Sequence, residues 1–207
     1  MTIERDVSLP ELPFVLRSEG PPSSVPPHVV PGSVVLTAEA GADLFLDPAG
    51  TPSAADAERF VAEVEGNFLF SAFVSPVFTS DFDSGVLLGY LDPLNWFKVC
   101  AELDTAGVTR VVSVVTRDGA SDDCDSSPID GGGVYLRIAR LGAAFALHSS
   151  TDGKKWSMVR YFAMGPTAPG VLKIGLLAQS PAGEGTKAEF SRLSFSADTL
   201  RAVRDGS

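Results

Sequence analysis

Residues 68–75 read FLFSAFVS, a stretch in which every even position is apolar and serine recurs among the odd positions. Successive side chains of a β-strand point to opposite faces, so this period of two predicts a strand with one buried face. The same pattern recurs in residues 134–139 (VYLRIA) and 173–179 (KIGLLAQ). These three runs predict that the protein is built from β-strands.

Outward from these runs, short strand-like segments separated by turn residues fill the rest of the chain. The further predicted strands are residues 34–38, 43–46, 58–64, 85–91, 95–103, 109–117, 143–149, 156–162 and 187–195. Asp152-Gly153 predicts a hairpin turn, because glycine adopts the positive φ that hairpin turns favour. Only Ala197–Val203 reads as helical. About a dozen short strands predict an all-β, two-sheet antiparallel sandwich or a barrel.

The first 33 residues differ from the rest because they contain seven prolines. Such a stretch does not hold a helix, so it predicts an extended N-terminal arm over residues 1–33. Leu12, Phe14 and Leu16 alternate within it, which is compatible with an added edge strand. We therefore expect one β-sandwich domain over residues 34–207 preceded by this arm.

Charge and hydropathy set the expected partners and location. The net charge of −10 argues against sequence-independent nucleic-acid binding, which needs a basic surface. The N-terminus lacks the basic and apolar regions of a signal peptide, and no apolar run approaches the ~20 residues of a membrane span. We expect a cytoplasmic protein with no nucleic-acid or membrane partner and, since no cofactor or metal motif is legible, no cofactor.

Several separated motifs resemble one known family. They are WFKVCAE (96–102), SVVTRDGASDD (113–123), VYLRIAR (134–140), HSSTDGKKW (148–156), AQSPAGEG (178–185) and LRAVRDGS (200–207). In this order they resemble the "regulation of enolase" proteins, domains of unknown function in the concanavalin A-like lectin/glucanase superfamily. The resemblance covers roughly residues 34–207. It implies a jelly-roll sandwich whose concave sheet face is where relatives bind or cleave carbohydrate.

The chain departs from the glucanases of that superfamily in its acidic residues. Those enzymes carry two glutamates and an aspartate that alternate on one strand. Here Glu63 and Glu65 share one face without a third acid, and Glu102 and Asp104 end a strand at a turn. Glycoside hydrolysis requires a matched pair of carboxyl groups. The sequence therefore does not favour a glucanase.

One strand carries the best candidate binding surface. In residues 96–103, Phe97, Val99, Ala101 and Leu103 form an apolar face, and Trp96, Lys98, Cys100 and Glu102 form the other. An aromatic ring, a cation and an acid in a row are suited to line a ligand groove. The alternative is a solvent-facing surface with a Lys98–Glu102 ion pair.

Polar residues on later strands extend this hypothesis. Arg117, Arg137, His148, Arg160 and Gln179 would converge with Lys98 and Glu102 if their faces met side by side. Guanidinium groups recognise carboxylates and phosphates, which would favour an anionic or hydroxyl-rich small ligand. The alternatives are that some arginines pair with neighbouring acids, and that the histidine is a satisfied structural residue.

The acids Asp122, Asp123 and Asp125 lie in a predicted loop at 118–125. Calcium prefers such oxygen clusters, but an ion-pairing loop next to Arg117 is the simpler interpretation, and we expect no metal site. Cys100, on a strand, is interpreted as a buried and unreactive thiol.

Together these features predict a small-molecule binding domain for a carbohydrate-like or anionic ligand on the concave sheet face. One alternative is an enzyme on the same scaffold, with Glu102 or His148 as general acid/base and an arginine as anion holder. The other is an intracellular domain that binds a protein partner.

Overall fold

The computed structural model describes residues 5–51, 56–165 and 171–207. All of the regular structure in these ranges is β-strand. The strands are β1 (Arg17–Glu19), β2 (His28–Val30), β3 (Ser33–Glu39), β4 (Arg59–Glu63), β5 (Phe68–Pro76), β6 (Ser84–Asp92), β7 (Asn95–Leu103), β8 (Thr109–Arg117), β9 (Ala120–Pro128), β10 (Val134–Leu141), β11 (Ala144–Ser150), β12 (Ser157–Ala163), β13 (Lys173–Gln179) and β14 (Gly185–Ser196).

The strands form two seven-stranded sheets. Sheet A has the order β1-β4-β13-β6-β7-β8-β9, and sheet B the order β12-β11-β10-β5-β14-β3-β2. Each of the described pairings is antiparallel. The all-β, two-sheet antiparallel sandwich predicted from the sequence is confirmed. The predicted hairpin at Asp152-Gly153 joins β11 to β12, and Gly153 has a φ of 70°.

Alternation buries one face of each sheet against the other. Phe68 and Phe70 of β5 and Leu136 of β10, all in sheet B, are fully buried in the same cluster as residues of sheet A. The two sheets meet at an aromatic contact, in which the ring of Phe97 (β7) lies 4.7 Å from that of Phe145 (β11). Burial of such apolar faces stabilises the sandwich by about 25 cal/mol per Å².

Residues of the N-terminal arm join both sheets. A bridge links Val7 to Leu16, and both side chains are fully buried in the main core. The arm then contributes β1 to the edge of sheet A and β2 to the edge of sheet B. The strand of the arm in sheet A starts at Arg17, just after the alternating residues that suggested it.

Two predicted elements are wrong because the apolar pattern has another cause. Residues 43–46 form no strand and instead cross the outside of sheet A, so their apolar side chains face the sheet. Residues 197–203 form no helix. Leu200 packs on Ala139 and Ala146 outside sheet B, while backbone N–H groups of this segment bond to the Ser207 carbonyl.

A third prediction missed a strand. The acid-rich residues after Arg117 were expected to be a loop, but Ala120–Pro128 forms β9 at the edge of sheet A. Acidic side chains disfavour strands in general. They are accepted here because an edge strand leaves most of its side chains in solvent.

Candidate functional site: a pocket outside sheet A

The strand β7 contributes two side chains to the floor of the site, because its side chains alternate strictly between the two faces of the sheet. Phe97, Val99 and Ala101 point into the core between the sheets, as predicted. Lys98 and Glu102 therefore emerge on the other side, which we call the outer face of sheet A. Register places Lys98 opposite Val114 of β8, and Glu102 opposite Ser84 of β6.

A segment that we call the strap, residues 40–46, crosses the outer face of sheet A. At one end the backbone of residues 41 and 42 exchanges two hydrogen bonds with Ser180, each of 2.9 Å. At the other end the Leu46 N–H donates to Ser121 Oγ, and the Ser121 N–H donates to the Leu46 carbonyl, both at 3.0 Å. The strap buries an apolar cluster that includes Leu44 and Trp96.

Beside the strap, the outer face opens into a cavity of about 360 Å³. This size lies within the range of ~300–1,000 Å³ that is usual for small-molecule sites. The floor comes from β7, β8, β9 and β13, and the walls from the strap and two end loops. The lining residues are Asp43, Phe45, Phe82, Lys98, Glu102, Val112, Val114, Asp123, Gln179 and Pro181.

A buried polar chain runs along the floor. Lys98 is only 3% exposed, and its ammonium donates to Gln179 Oε1 at 3.0 Å. The amide nitrogen of Gln179 in turn donates to the Asp43 carboxylate on the strap. The hydroxyl of Ser84, which lies between Gln179 and Glu102 in the register, is buried without a hydrogen-bond partner among the described residues. These contacts fix the lysine and the amide at the bottom of the pocket.

Three carboxyl groups surround this lysine, and their pKa values are shifted upwards. Burial raises the pKa of Glu102 to about 7, an effect that the charge of Lys98 opposes and the charges of Asp123 and Asp43 reinforce. Burial also raises the pKa values of Asp43 and Asp123, again against the attraction of Lys98. Asp123 is the most exposed of the three because it lies on the edge strand. Glu102 is therefore poised to bind or release a proton near neutral pH.

The rim of the pocket at Phe82 is held in an unusual backbone conformation. Phe82 has a φ of 67°, rare for a bulky residue; the residue is 41% exposed and lines the pocket. The adjacent Asp83 is fully buried and accepts hydrogen bonds from the N–H and hydroxyl of Thr79 and from the Ser80 N–H. Its other oxygen accepts from the Ser180 hydroxyl at 2.6 Å. Asp83 thus fixes the Phe82 rim to the anchor point of the strap.

The structure brings together Lys98, Glu102 and Gln179 of the predicted site residues. Trp96 lies on the same face but is fully buried under the strap, so its indole does not line the cavity. The ring centre of Trp96 is 5.9 Å from the Lys98 ammonium. Cys100 is also buried on this face, and burial raises its pKa well above the usual value, as expected for an unreactive thiol.

Arg117 and Arg160 lie instead at the seam where the edge strands of the two sheets meet. The guanidinium of Arg117 donates to the Ala163 carbonyl at 3.0 Å. Arg160 forms an ion pair of 2.7 Å with Asp122. Pairing between an arginine and this acid was one alternative from the sequence, but the partner is Arg160 and not Arg117.

Arg137 and His148 lie on the outer face of sheet B, where they are directly opposite each other in the register. The Arg137 guanidinium donates to the Gly206 carbonyl at 2.8 Å and stacks on Trp156 at 4.2 Å. His148 Nε2 lies 2.7 Å from the Val203 carbonyl, so this nitrogen carries the proton. Burial lowers the pKa of His148 to about 4 and that of Arg137 to about 10. These side chains are covered and do not reach the pocket.

The acids of β9 do not form a cluster. Because side chains alternate, Asp123 and Asp125 share the outer face while Asp122 points to the Arg160 seam. Within residues 5–51, 56–165 and 171–207, no group of three acidic, histidine or cysteine side chains is arranged to hold a metal ion.

Sequence reasoning did not assign several of the lining residues to the pocket. Asp43 and Phe45 were assigned to a strand, Phe82 was not singled out, and Asp123 was assigned to a loop. One available signal was the apolar run 44–46 followed by Pro48 and Gly50, since a short apolar run without alternation is compatible with a covering loop as well as a strand. The positive φ of Phe82 has no sequence signature.

Comparison with known proteins gives one family and a set of similar folds. The family described as "Protein of unknown function (DUF1349)" matches residues 22–198. A search of curated proteins finds no match. No helix in the described part of the chain is long and apolar enough to cross a membrane.

Solved structures share the fold at low sequence identity. A functionally unknown protein from Saccharomyces cerevisiae is 22% identical with a TM-score of 0.77, over 88% of this chain and 96% of the other. The GH43 protein BlXynB from Bacillus licheniformis is 15% identical with a TM-score of 0.66, and 82% of this chain corresponds to only 34% of it. An alginate lyase from Alteromonas sp. 272 is 10% identical with a TM-score of 0.58, over 86% and 93% of the two chains.

Proposed function

The chain belongs to a family of proteins of unknown function (DUF1349), and we propose that its sheet A pocket binds a neutral, hydroxyl-rich small molecule such as a sugar unit. The observation that carries the proposal is the combination of phenyl walls with a buried polar floor. Phe45 and Phe82 line the cavity beside the Lys98–Gln179 pair. Aromatic rings stack on the apolar faces of sugars, and fixed polar groups orient their hydroxyls.

The charges of the pocket favour a neutral ligand over an anion. Three carboxyl groups, those of Asp43, Glu102 and Asp123, surround the single ammonium of Lys98. Carboxylates accept hydrogen bonds from sugar hydroxyls, and the ammonium donates to them. An anion would be repelled by the same carboxylates, and the three arginines predicted to hold an anion lie elsewhere. The pocket therefore supports the carbohydrate-like part of the sequence prediction better than the anionic part.

The fold supports this proposal only in a general way. The similar structures include sugar-active proteins, among them a xylan β-1,4-xylosidase from Bacillus halodurans, which is 17% identical. At this identity the likeness extends to the fold, and the assignment of a ligand rests on the pocket itself.

The test is a binding screen by calorimetry and thermal shift with named probes. We would use xylose, glucose, galactose and mannose, the disaccharides xylobiose and cellobiose, and glucuronate and glucose 6-phosphate as anions. A neutral sugar at ten times its Kd should raise the Tm by about 3–5 °C. Stronger binding of either anion than of every neutral sugar would contradict the proposal.

A matched pair of variants locates the binding. Val114→Phe places a ring in the cavity and should abolish the response, since Val114 lies on its floor. Val77→Phe makes the same change at a side chain that is 55% exposed outside the pocket, and it should bind like the wild type. Thermal unfolding without ligand verifies that both variants fold. Should Val114→Phe not fold, Glu102→Gln replaces it as the variant that must lose binding.

An enzyme is the second candidate, and the pKa of Glu102 favours it. A carboxyl group with a pKa of about 7 exchanges protons efficiently at neutral pH, and Asp43 and Asp123 lie in the same pocket as possible second carboxylates. Hydrolysis of 4-nitrophenyl β-xyloside and β-glucoside would test this. Turnover should fall at least about 100-fold in Glu102→Gln and remain in Glu65→Gln, which changes an exposed glutamate. If no turnover is detected above background, the enzyme candidate is contradicted and only the binding function remains.

A further inference from the structure

The strap and the rim meet at one corner of the pocket. Ser180 exchanges backbone hydrogen bonds with the strap, and its hydroxyl donates to Asp83 beneath the rim residue Phe82. At the same corner the amide of Gln179 is bonded to Asp43 of the strap. Two walls of the pocket are thus joined by hydrogen bonds at this corner.

The strap crosses sheet A as a diagonal. Its anchors are Ser180, which follows β13, and Ser121 of β9, and the sheet order places β6, β7 and β8 between these two strands. On one side of the diagonal, Trp96 and its apolar neighbours are fully covered. On the other side, Lys98 and Glu102 face the cavity. The outer face of sheet A is therefore divided into a closed half and an open half.

This division limits how a chain-like ligand enters. A polysaccharide that bound by an internal segment would have to cross the sheet and leave the pocket on two opposite sides. The strap, with Phe45 in the wall, blocks the side towards β6 and β13, so a chain that enters over the edge strand β9 stops at the strap. The volume of about 360 Å³ is near the lower limit for small-molecule sites, which suits one or two sugar units.

From this geometry we infer that the pocket takes the end of a saccharide chain, or a free mono- or disaccharide, and excludes internal segments of a polysaccharide. The inference rests on the proposed function, because it specifies which part of a carbohydrate the same site accepts. The strap is the specificity-determining element. The covered Trp96 is part of its support and makes no contact with the ligand.

The test compares polymers that differ only in the number of ends. Linear xylan, mixed-linkage β-glucan and β-mannan would each be cut into two fractions, one ten times shorter than the other. Equal masses are then titrated with the protein by calorimetry. Recognition of ends predicts about ten times more binding sites per gram in the short fraction, because each chain offers one end of each kind. Val77→Phe should behave in the same way, and Val114→Phe should lose binding to both fractions.

The outcomes separate the two proposals. An equal number of sites per gram in both fractions would overturn end recognition and leave saccharide binding intact. Binding that persists unchanged in Val114→Phe would place the recognition of ends outside this pocket and overturn the inference. Absence of binding to every saccharide, including xylobiose and cellobiose, would overturn the proposed function and the inference together.

Discussion

The outer faces of the two sheets carry similar polar residues but differ in what covers them. Outside sheet A, the strap covers only half of the face, and Lys98 and Glu102 line a cavity. Outside sheet B, residues 197–207 cover Arg137 and His148, whose hydrogen bonds go to backbone carbonyls of that segment. Alternation places a polar side chain on an outer face, and the covering segment decides whether it is available to a ligand.

The largest expected effect is a loss of stability when the rim of the sheet A pocket is changed. Asp83→Ala removes a fully buried carboxyl group that accepts four hydrogen bonds, from Thr79, Ser80 and Ser180. Loss of an acceptor with several buried donors should lower the free energy of unfolding by about 3–4 kcal/mol. Urea unfolding measures this change.

The control for the rim is a neighbour in the same loop. Asp81 is exposed, so Asp81→Ala should change the stability by less than about 0.5 kcal/mol. Equal stabilities of the Asp83 and Asp81 variants would mean that the pocket rim does not depend on this carboxyl group.

The second effect tests whether the sheet B face is structural. Arg137→Ala removes the stack on Trp156 and the hydrogen bond to the Gly206 carbonyl. We expect a loss of about 2 kcal/mol, since the long side chain contributes packing as well as its hydrogen bond. Because the proposed sugar site lies on the other sheet, the affinity of any ligand found in the screen should be unchanged.

Arg204→Ala provides the matched control on the same segment, where the arginine is exposed. It should be close to wild type in urea unfolding. A loss of ligand affinity in Arg137→Ala, without a loss in Arg204→Ala, would restore Arg137 to the binding site that its sequence pattern suggested.

Sequence periodicity predicted most of the architecture because alternation of apolar and polar side chains indicates a β-strand. It assigned the two faces of β7 correctly, and hence the placement of Lys98 and Glu102 on the outer face. It did not reveal that Arg137 and His148 face away on the other sheet, because alternation specifies a face of a strand but not the sheet to which the strand belongs. The strap was taken for a strand because both are short and apolar.

The third prediction uses pH to distinguish the two faces. In the folded state the pKa of Glu102 is about 7, above its ordinary value of 4.5, so the native protein holds a proton that the unfolded chain has lost. The stability that protonated Glu102 contributes to the folded state is therefore lost as pH rises from about 4.5 to 7. His148 acts in the opposite sense, since its pKa is lowered to about 4 and its contribution is lost as pH falls below about 6.5.

The variant Glu102→Gln isolates the glutamate because His148 is common to both proteins. The variant should gain about 1–2 kcal/mol relative to wild type between pH 5 and pH 8, measured by urea unfolding at each pH. Glu65→Gln, at an exposed position, should show no such gain. A difference that is constant with pH would mean that Glu102 is ionised throughout and does not have the raised pKa.

The smallest expected effect on stability is at the seam between the edge strands of the two sheets, where Asp122 of β9 pairs with Arg160 of β12. The Asp122 side chain is 59% exposed, and exposed ion pairs contribute about 0–1 kcal/mol. Asp122→Asn should therefore lower the free energy of unfolding by less than about 1 kcal/mol, and the difference should shrink in high salt. Asp125→Asn, on the other face of the same strand, is the control.

The same pair of variants tests the calcium interpretation of this segment. Asp122 points away from Asp123 and Asp125, so the three acids do not surround one ion, and neither chelator nor added calcium should shift the Tm. A calcium-dependent rise of several degrees that Asp122→Asn abolishes would show that β9 rearranges to bind the ion.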